Sequence, residues 1–236
     1  MMRIDKFLAG QTGNTRKEVK EWLKKGLVYV NDEPIKKPEF KVNPDEDEIV
    51  LDGKRIGYEP VVYYMFHKPA GCVSATKDNH DKTVLDFFEA SDKKKDLFPV
   101  GRLDKDTEGL LLVTNDGELS HNLLSPKKHV DKTYYVELSK EITLDDVAKL
   151  EQGIDIGEKN LTLPARLEQI SKQYYRITIR EGKFHQIKRM FHAVGSEVVY
   201  LKRLSMGSLI LDESLKPGQY RPLTKEEILG LKRKES

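Results

Sequence analysis

The stretch FPVGRLDKDTEGLLLVTNDG packs Arg102, Asp104, Lys105, Asp106, Thr107 and Glu108 between Gly101 and Gly109. Four apolar residues, Leu110 to Val113, follow at once and read as a buried strand. Polar groups gathered at the mouth of a core strand are where active sites are often built. A carboxylate in such a place can serve as a nucleophile or a general base. Spacing alone does not separate this loop from a solvated one.

A second constellation is EGKFHQIKRMFHAVG. A helix over Gln186 to Val194 would bury Ile187, Met190, Phe191 and Val194 and carry His185, Lys188, Arg189 and His192 on the other side, three or four residues apart. Those cations would share one surface, which suits an anionic partner as well as it suits solvent. The two histidines lack a third carboxylate or thiolate at a useful spacing, so no metal site is expected. A third constellation lies near the N-terminus. Arg16, Lys17, Lys20 and Lys24 recur every three or four residues opposite Val19 and Trp22, a stripe that fits phosphate backbones and equally a solvated face.

The elements that must position these residues are legible in outline. Ile4, Phe7 and Leu8 fall on one face of a short helix, and a second helix opens with the capping box Thr15/Glu18 and ends at Gly26. LVYVN, a turn at Asn31-Asp32 and short extended pieces up to EIVLDG complete a compact module. The polar segment DGKRIGYEP, Asp52 to Pro60, reads as a linker, and the domain boundary is set at 57/58, giving domains over 1–57 and 58–236. Beyond it, VVYYMF, LLLVT, TYYVEL and YYRITI read as strands, with helices near Leu144 to Leu150 and Gln186 to Val194. In YYRITIR, Tyr175, Ile177 and Ile179 share one face. The fold class expected is α+β: a small N-terminal α/β domain and a larger domain with a mixed, largely antiparallel sheet. The capping box Thr224/Glu227 opens a last helix, and LKRKES should form a frayed basic tail.

Composition excludes several classes. Of 236 residues, 38% are apolar and 34% charged, and no run approaches the ~20 apolar residues of a membrane span. The charged start MMRIDKFLAGQTGNTRKEV is unlike a signal peptide, and Cys72 is the lone cysteine, so a reducing cytoplasm is the expected location. The formal charge of +2 is too small to announce a nucleic acid, yet residues 1–44 hold ten Lys/Arg against six Asp/Glu. The motifs GxxxxGK[ST], GxGxxG and GxSxG are missing, which removes the usual markers of nucleotide hydrolysis, dinucleotide redox and serine-esterase chemistry.

Two resemblances order these observations. RIDKFLA and TRKEVKEWLKKGLVYVN, with the strands after them, resemble the S4-like RNA-binding module of a small-subunit ribosomal protein. From Met65 onward the chain resembles the RsuA family of 16S rRNA pseudouridine synthases, at MFHKPAGCVSAT, GRLDKDTEGLLLVTNDGELSH, LLSPKKHVDKTYYV, EGKFHQIKRMFHAVG and LKPGQYRPLT. The resemblance implies an isomerase acting on one uridine of 16S rRNA, the position usually called 516. It makes Asp104 the nucleophile, Tyr134 the ring against the target base and Lys188 the cation paired with the nucleophile. Arg102 would help to hold the RNA open. His67 departs from the Asn that relatives often carry before Lys-Pro, which bears on local loop structure.

The expected RNA-binding residues are Arg3, Lys6, Arg16, Lys17, Lys20, Lys24, Arg102, His185 and Arg189. Isomerising uridine needs no redox, phosphoryl-transfer or hydrolytic step, so neither a metal nor an organic cofactor is expected. A buried Asp104 would be kept ionised by the Lys188 cation, and the base would be flipped out of its stack to reach it. The partner is ribosomal RNA or an assembly intermediate, with no membrane and a monomeric chain. A large-subunit 23S rRNA synthase and a non-catalytic RNA-binding assembly protein are the alternatives.

Overall fold

The computed structural model describes residues 1–58, 61–93, 96–125 and 128–233. They form two compact units, 1–60 and 61–236.

In the first unit, β1 (Met2–Arg3), α1 (Ile4–Thr12) and α2 (Arg16–Lys24) precede β2 (Val28–Val30), β3 (Glu33–Pro34), β4 (Lys41–Val42), β5 (Ile49–Leu51) and β6 (Lys54–Arg55). The Thr15/Glu18 capping box holds the start of α2, and Gly26 adopts φ 72° beyond its end. Ile4, Phe7, Leu8, Val19 and Leu23 close over Val28, Val30 and Ile49 as one core. Part of the expected linker is instead strand: β6 pairs with β5 through Asp52-Gly53. Both turn residues take positive φ (48° and 75°), the backbone of a two-residue hairpin, and Asp-Gly is a dipeptide that accepts it. Asn31-Asp32 turns in the same way between β2 and β3.

The second unit contains β7 (Tyr63–Lys68), a 3-10 turn (Val84–Phe87), α3 (Ala90–Lys93), β8 (Phe98–Pro99), β9 (Glu108–Thr114), α4 (Gly117–Leu124), β10 (Lys132–Leu138) and α5 (Leu144–Gln152). It continues with β11 (Arg166–Ser171), β12 (Tyr174–Ile179), α6 (Gln186–Ala193), β13 (Val198–Met206), β14 (Leu209–Ile210), β15 (Tyr220–Pro222) and α7 (Lys225–Lys232). Its sheet runs β11-β12-β10-β13-β9-β7-β15, with β14 on β13 and β8 on β9. The β13–β9 pair is parallel and the other pairs are antiparallel, the mixed sheet expected.

Strands β7 and β9 are buried on both faces, which is why they read as continuous apolar runs. Tyr64, Phe66, Leu111 and Val113 join Tyr134, Tyr175, Ile177, Met190 and Phe191 on one side. Tyr63, Met65, Leu110 and Leu112 meet Leu119 and Leu123 of α4 and Leu231 of α7 on the other. Strand β13 and helix α4 are additions to the elements expected from sequence. Lys202 and Arg203 interrupt the apolar pattern of β13, and α4 buries only Leu119 and Leu123 behind a leading glycine. The Thr224/Glu227 capping box starts α7 as expected; the end of the basic tail, residues 234–236, lies outside the described residues, as do 59–60 of the linker segment. Among the described residues no helix is long and apolar enough to cross a membrane.

Candidate active site

The loop from Gly101 to Thr107 lies between β8 and β9 and is held from beneath by the segment KPAGCVS. Lys68, at the end of β7, is fully buried, and its Nζ donates to the carbonyls of Pro69 (3.1 Å), Asp104 (2.9 Å), Lys105 (3.3 Å) and Thr107 (2.8 Å). Burial pushes this ammonium below the usual lysine value, against the opposing pull of nearby Asp104 and Asp106. Gly71 N donates to the Lys105 carbonyl at 2.7 Å. Ser74 Oγ donates to the Leu103 carbonyl and accepts from its amide, at 2.9 and 3.0 Å. Thr107 N closes the turn on the Asp104 carbonyl at 3.1 Å. The backbone on both sides of Asp104 is therefore fixed by partners outside the loop.

Gly109, the second residue of β9, sits where a side chain has no room. Its φ is 105°, and an added Cβ would strike the Arg203 backbone of β13 across the parallel pair Gly109↔Arg203. Arg203 is buried and donates from Nε to the Leu110 carbonyl at 2.7 Å, a second tie between β13 and β9.

Three segments distant in sequence meet in one cleft of about 80 Å³. Its lining includes Arg102, Asp104 and Thr107 from the loop, Tyr134 from β10, and His185 and Lys188 at the start of α6. A wider hollow of about 480 Å³, lined by Ala70, Gly71, Lys105 and Asp106, meets the cleft at Asp104, His185 and Lys188. Tyr134 is buried in the cleft wall, beside a β-bulge between Thr133 and Tyr134 that re-aims the strand. His185, at the N-cap position of α6, has its backbone in the left-handed region, φ 48°. Its Nε2 is 3.7 Å from Asp104 Oδ1, and Lys188 Nζ is 3.6 Å from Asp104 Oδ2.

One expectation needs correction. Asp104 is not buried: 29% of its side chain remains exposed, because it stands at the rim where the two hollows join. Lys188 also has a nearer partner. It donates to both Asp106 oxygens, at 2.6 and 2.7 Å. Burial pushes the Asp106 carboxyl up, but the hydrogen bond and charge of Lys188 outweigh that, and the net shift is down.

The cations of α6 do not share one surface. His185 and Lys188 reach the cleft, whereas Arg189 is tied to Glu158, Phe184 O and Ile156 O, and His192 Nδ1 meets Glu197 at 2.6 Å. Gln186, not assigned to the core by the sequence, is buried there with Ile187, Met190 and Phe191. In the first unit Lys6, Arg16, Lys17, Lys20 and Lys24 are exposed. Arg3 instead forks onto Asp5, with two bonds of 2.9 Å. His67 Nδ1 meets the Leu215 carbonyl at 2.6 Å, tethering the loop before β15; a carbonyl only accepts, so this nitrogen carries the proton. Among the described residues no group of three or more His, Cys, Asp or Glu could hold a metal ion.

Sequence comparison decides the family. A model described as RNA pseudouridylate synthase matches residues 62–193, and an S4 domain model matches residues 2–49. The chain belongs to the RNA pseudouridine synthases. It is 48% identical over 231 residues to the RNA pseudouridine synthase YtzG of Bacillus subtilis, covering 96% of this chain and 97% of that one. It is 44% identical to ribosomal small subunit pseudouridine synthase A of Vibrio cholerae, covering 98% and 99%, and 42% identical to that of Escherichia coli, covering 98% and 100%. A solved structure described as a pseudouridylate synthase superposes with a TM-score of 0.72 at 40% identity, covering 98% of this chain and all of the other. The enzyme is thus an isomerase of the RsuA type with an N-terminal S4 domain.

Proposed function

We propose that the enzyme converts one uridine of small-subunit ribosomal RNA, the position usually called 516, to pseudouridine, with Asp104 as covalent nucleophile. The observation that carries this reading is the meeting of Asp104, Tyr134 and Lys188 in one cleft from three separate segments. A pure RNA binder has no use for a carboxylate inside a phosphate-attracting cleft, since the like charges repel. The naming of the Vibrio cholerae and Escherichia coli relatives supports the small-subunit target.

Isomerisation breaks the bond from C1′ to N1, turns the base, and joins C1′ to C5; C5 gives up its proton and N1 gains one, so reactant and product have the same atoms and no co-substrate is required. Asp104 holds the separated fragments by forming a covalent bond and later releasing it. Its position 3.6 Å from Lys188 keeps positive charge beside it through that cycle, and the His185 ring lies 3.7 Å away on the other oxygen. Tyr134 supplies the apolar wall against the flipped base, which offsets a few kcal/mol of unstacking. Arg102, exposed at the mouth, holds the opened RNA by its phosphate or by the gap left in the stack.

The first unit, bounded near residues 57–60, supplies docking through Lys6, Arg16, Lys17, Lys20 and Lys24. Every group invoked for chemistry belongs to a single chain, so a monomer suffices, working in the cytoplasm where ribosomal RNA is assembled. Mapping pseudouridine across ribosomal RNA from cells lacking this protein tests the reading. Loss of one small-subunit site supports it, loss of a large-subunit site assigns the other target, and no loss points to a binder.

A further inference from the structure

Phe184 is the most exposed Phe, Tyr or Trp ring among the described residues, at 73%. Water-facing apolar rings are usually explained by a loose loop, and this loop is not loose. Lys183 N donates to Gln186 Oε1 at 2.9 Å, and Gln186 Nε2 donates to Glu181 Oε1 at 2.8 Å. Lys183 Nζ reaches the carbonyls of Asn160 and Leu161 at 3.2 and 3.1 Å, and Arg189 Nη1 holds the Phe184 carbonyl at 3.0 Å. The backbone on both sides of the ring is thus anchored while the ring is held out.

One face of Phe184 is already occupied. It stacks on His185, with ring centroids 3.8 Å apart and 18° between planes. His185 in turn lies 3.7 Å from Asp104 and lines both hollows that meet there. Two parallel rings therefore lead from the reactive carboxylate outward to an open aromatic face.

We propose that the outer face of Phe184 is a stacking platform for a nucleobase next to the flipped uridine in the RNA strand. The inference rests on the synthase reading and adds a second base site to it. Extruding one base leaves its neighbours without a stacking partner, and a fixed aromatic ring beside the cleft replaces that partner at little cost in ordering. Any base has a π-face, so the platform contributes affinity and strand register with little preference for base identity.

The test uses the full chain and a small-subunit rRNA fragment carrying the target uridine, with 2-aminopurine placed in turn at each adjacent position. Wild type and Phe184→Trp should quench the label at one of the two positions, and Phe184→Ala should not. Phe184→Ala should raise KM roughly tenfold, with kcat changed by less than about twofold and Phe184→Trp near wild type. An unchanged KM in Phe184→Ala, or quenching equal to wild type, would overturn the platform. So would a defect of Phe184→Ala seen only on ribonucleoprotein particles and not on naked RNA, which would assign the ring to a protein partner. If the wild type forms no pseudouridine in this fragment yet quenches the label in a Phe184-dependent way, the target assignment fails and the platform stands.

Discussion

Lys188 lies 2.6 Å from Asp106 and 3.6 Å from Asp104, so the cation beside the proposed nucleophile is held by a second carboxylate two residues further along the same loop. Asp106 then acts as a tether that fixes Lys188 near Asp104 without closing the hydrogen bond. Lys188→Met should lower kcat by roughly tenfold to a hundredfold, because the opposite charge beside Asp104 is lost, while Kd for RNA changes little. Lys188→Arg should retain more activity than Met because the charge survives. Normal single-turnover rates with weakened binding would move Lys188 to a phosphate-binding role.

The sign of the pH dependence follows from the lowered Asp106 value. A carboxyl held below its usual 3.8 keeps its negative charge above that value and loses it only as pH falls through the lowered one. Asp106→Asn should therefore shift the kcat profile relative to wild type by a similar factor throughout roughly pH 5–9. A difference between the two profiles that appears or vanishes inside that window would show that Asp106 titrates there and that the tether is misassigned.

Lys68 is the residue on which the loop geometry depends most. Lys68→Met removes a donor from four carbonyls; those of Asp104 and Lys105 keep Thr107 N and Gly71 N, while each buried carbonyl left unsatisfied costs about 1–3 kcal/mol, offset in part by relieving a buried charge. A net loss of about 2 kcal/mol would lower Tm by roughly 4–8 °C in a chain of this size. Hydrogen exchange in residues 102–107 should accelerate, and kcat should fall. Unchanged protection of those amides would contradict the bracing role.

How much of the molecule is readable from sequence depends on the distance over which each feature is encoded. The Thr15/Glu18 and Thr224/Glu227 boxes, the alternation of Tyr175, Ile177 and Ile179, and the LLLV strand are local patterns, and the structure contains all of them. The grouping of Asp104 with Lys188 comes from family resemblance, since nothing in the spacing of residues 84 apart brings them together. The Lys68 brace spans up to 39 residues and looks in sequence like any lysine before a proline. Arg203 reads as a surface charge, yet its strand closes the centre of the sheet and buries it. The 185–192 cations follow a correct helical period, but their partners, Glu158, Glu197 and Asp106, lie on other segments and draw them apart.

The exposed stripe of α2 makes a prediction about salt. Lys17→Gln combined with Lys20→Gln in the full chain should weaken RNA binding and reduce the slope of log K against log salt by about 0.7–0.9 for each phosphate no longer neutralised, with kcat at saturating RNA near wild type. An unchanged slope would show that these lysines face solvent alone.

The most direct test of the account is the product yield of Asp104→Asn on small-subunit ribosomal RNA. The carboxamide keeps the size of the side chain and leaves the backbone bonds of the loop to Lys68 and Thr107 in place, but it carries no charge and cannot serve as the nucleophile. The account predicts a folded protein with RNA affinity within about threefold of wild type and turnover reduced by at least about a thousandfold. A folded Asp104→Asn enzyme that still forms pseudouridine at a rate near wild type would contradict it.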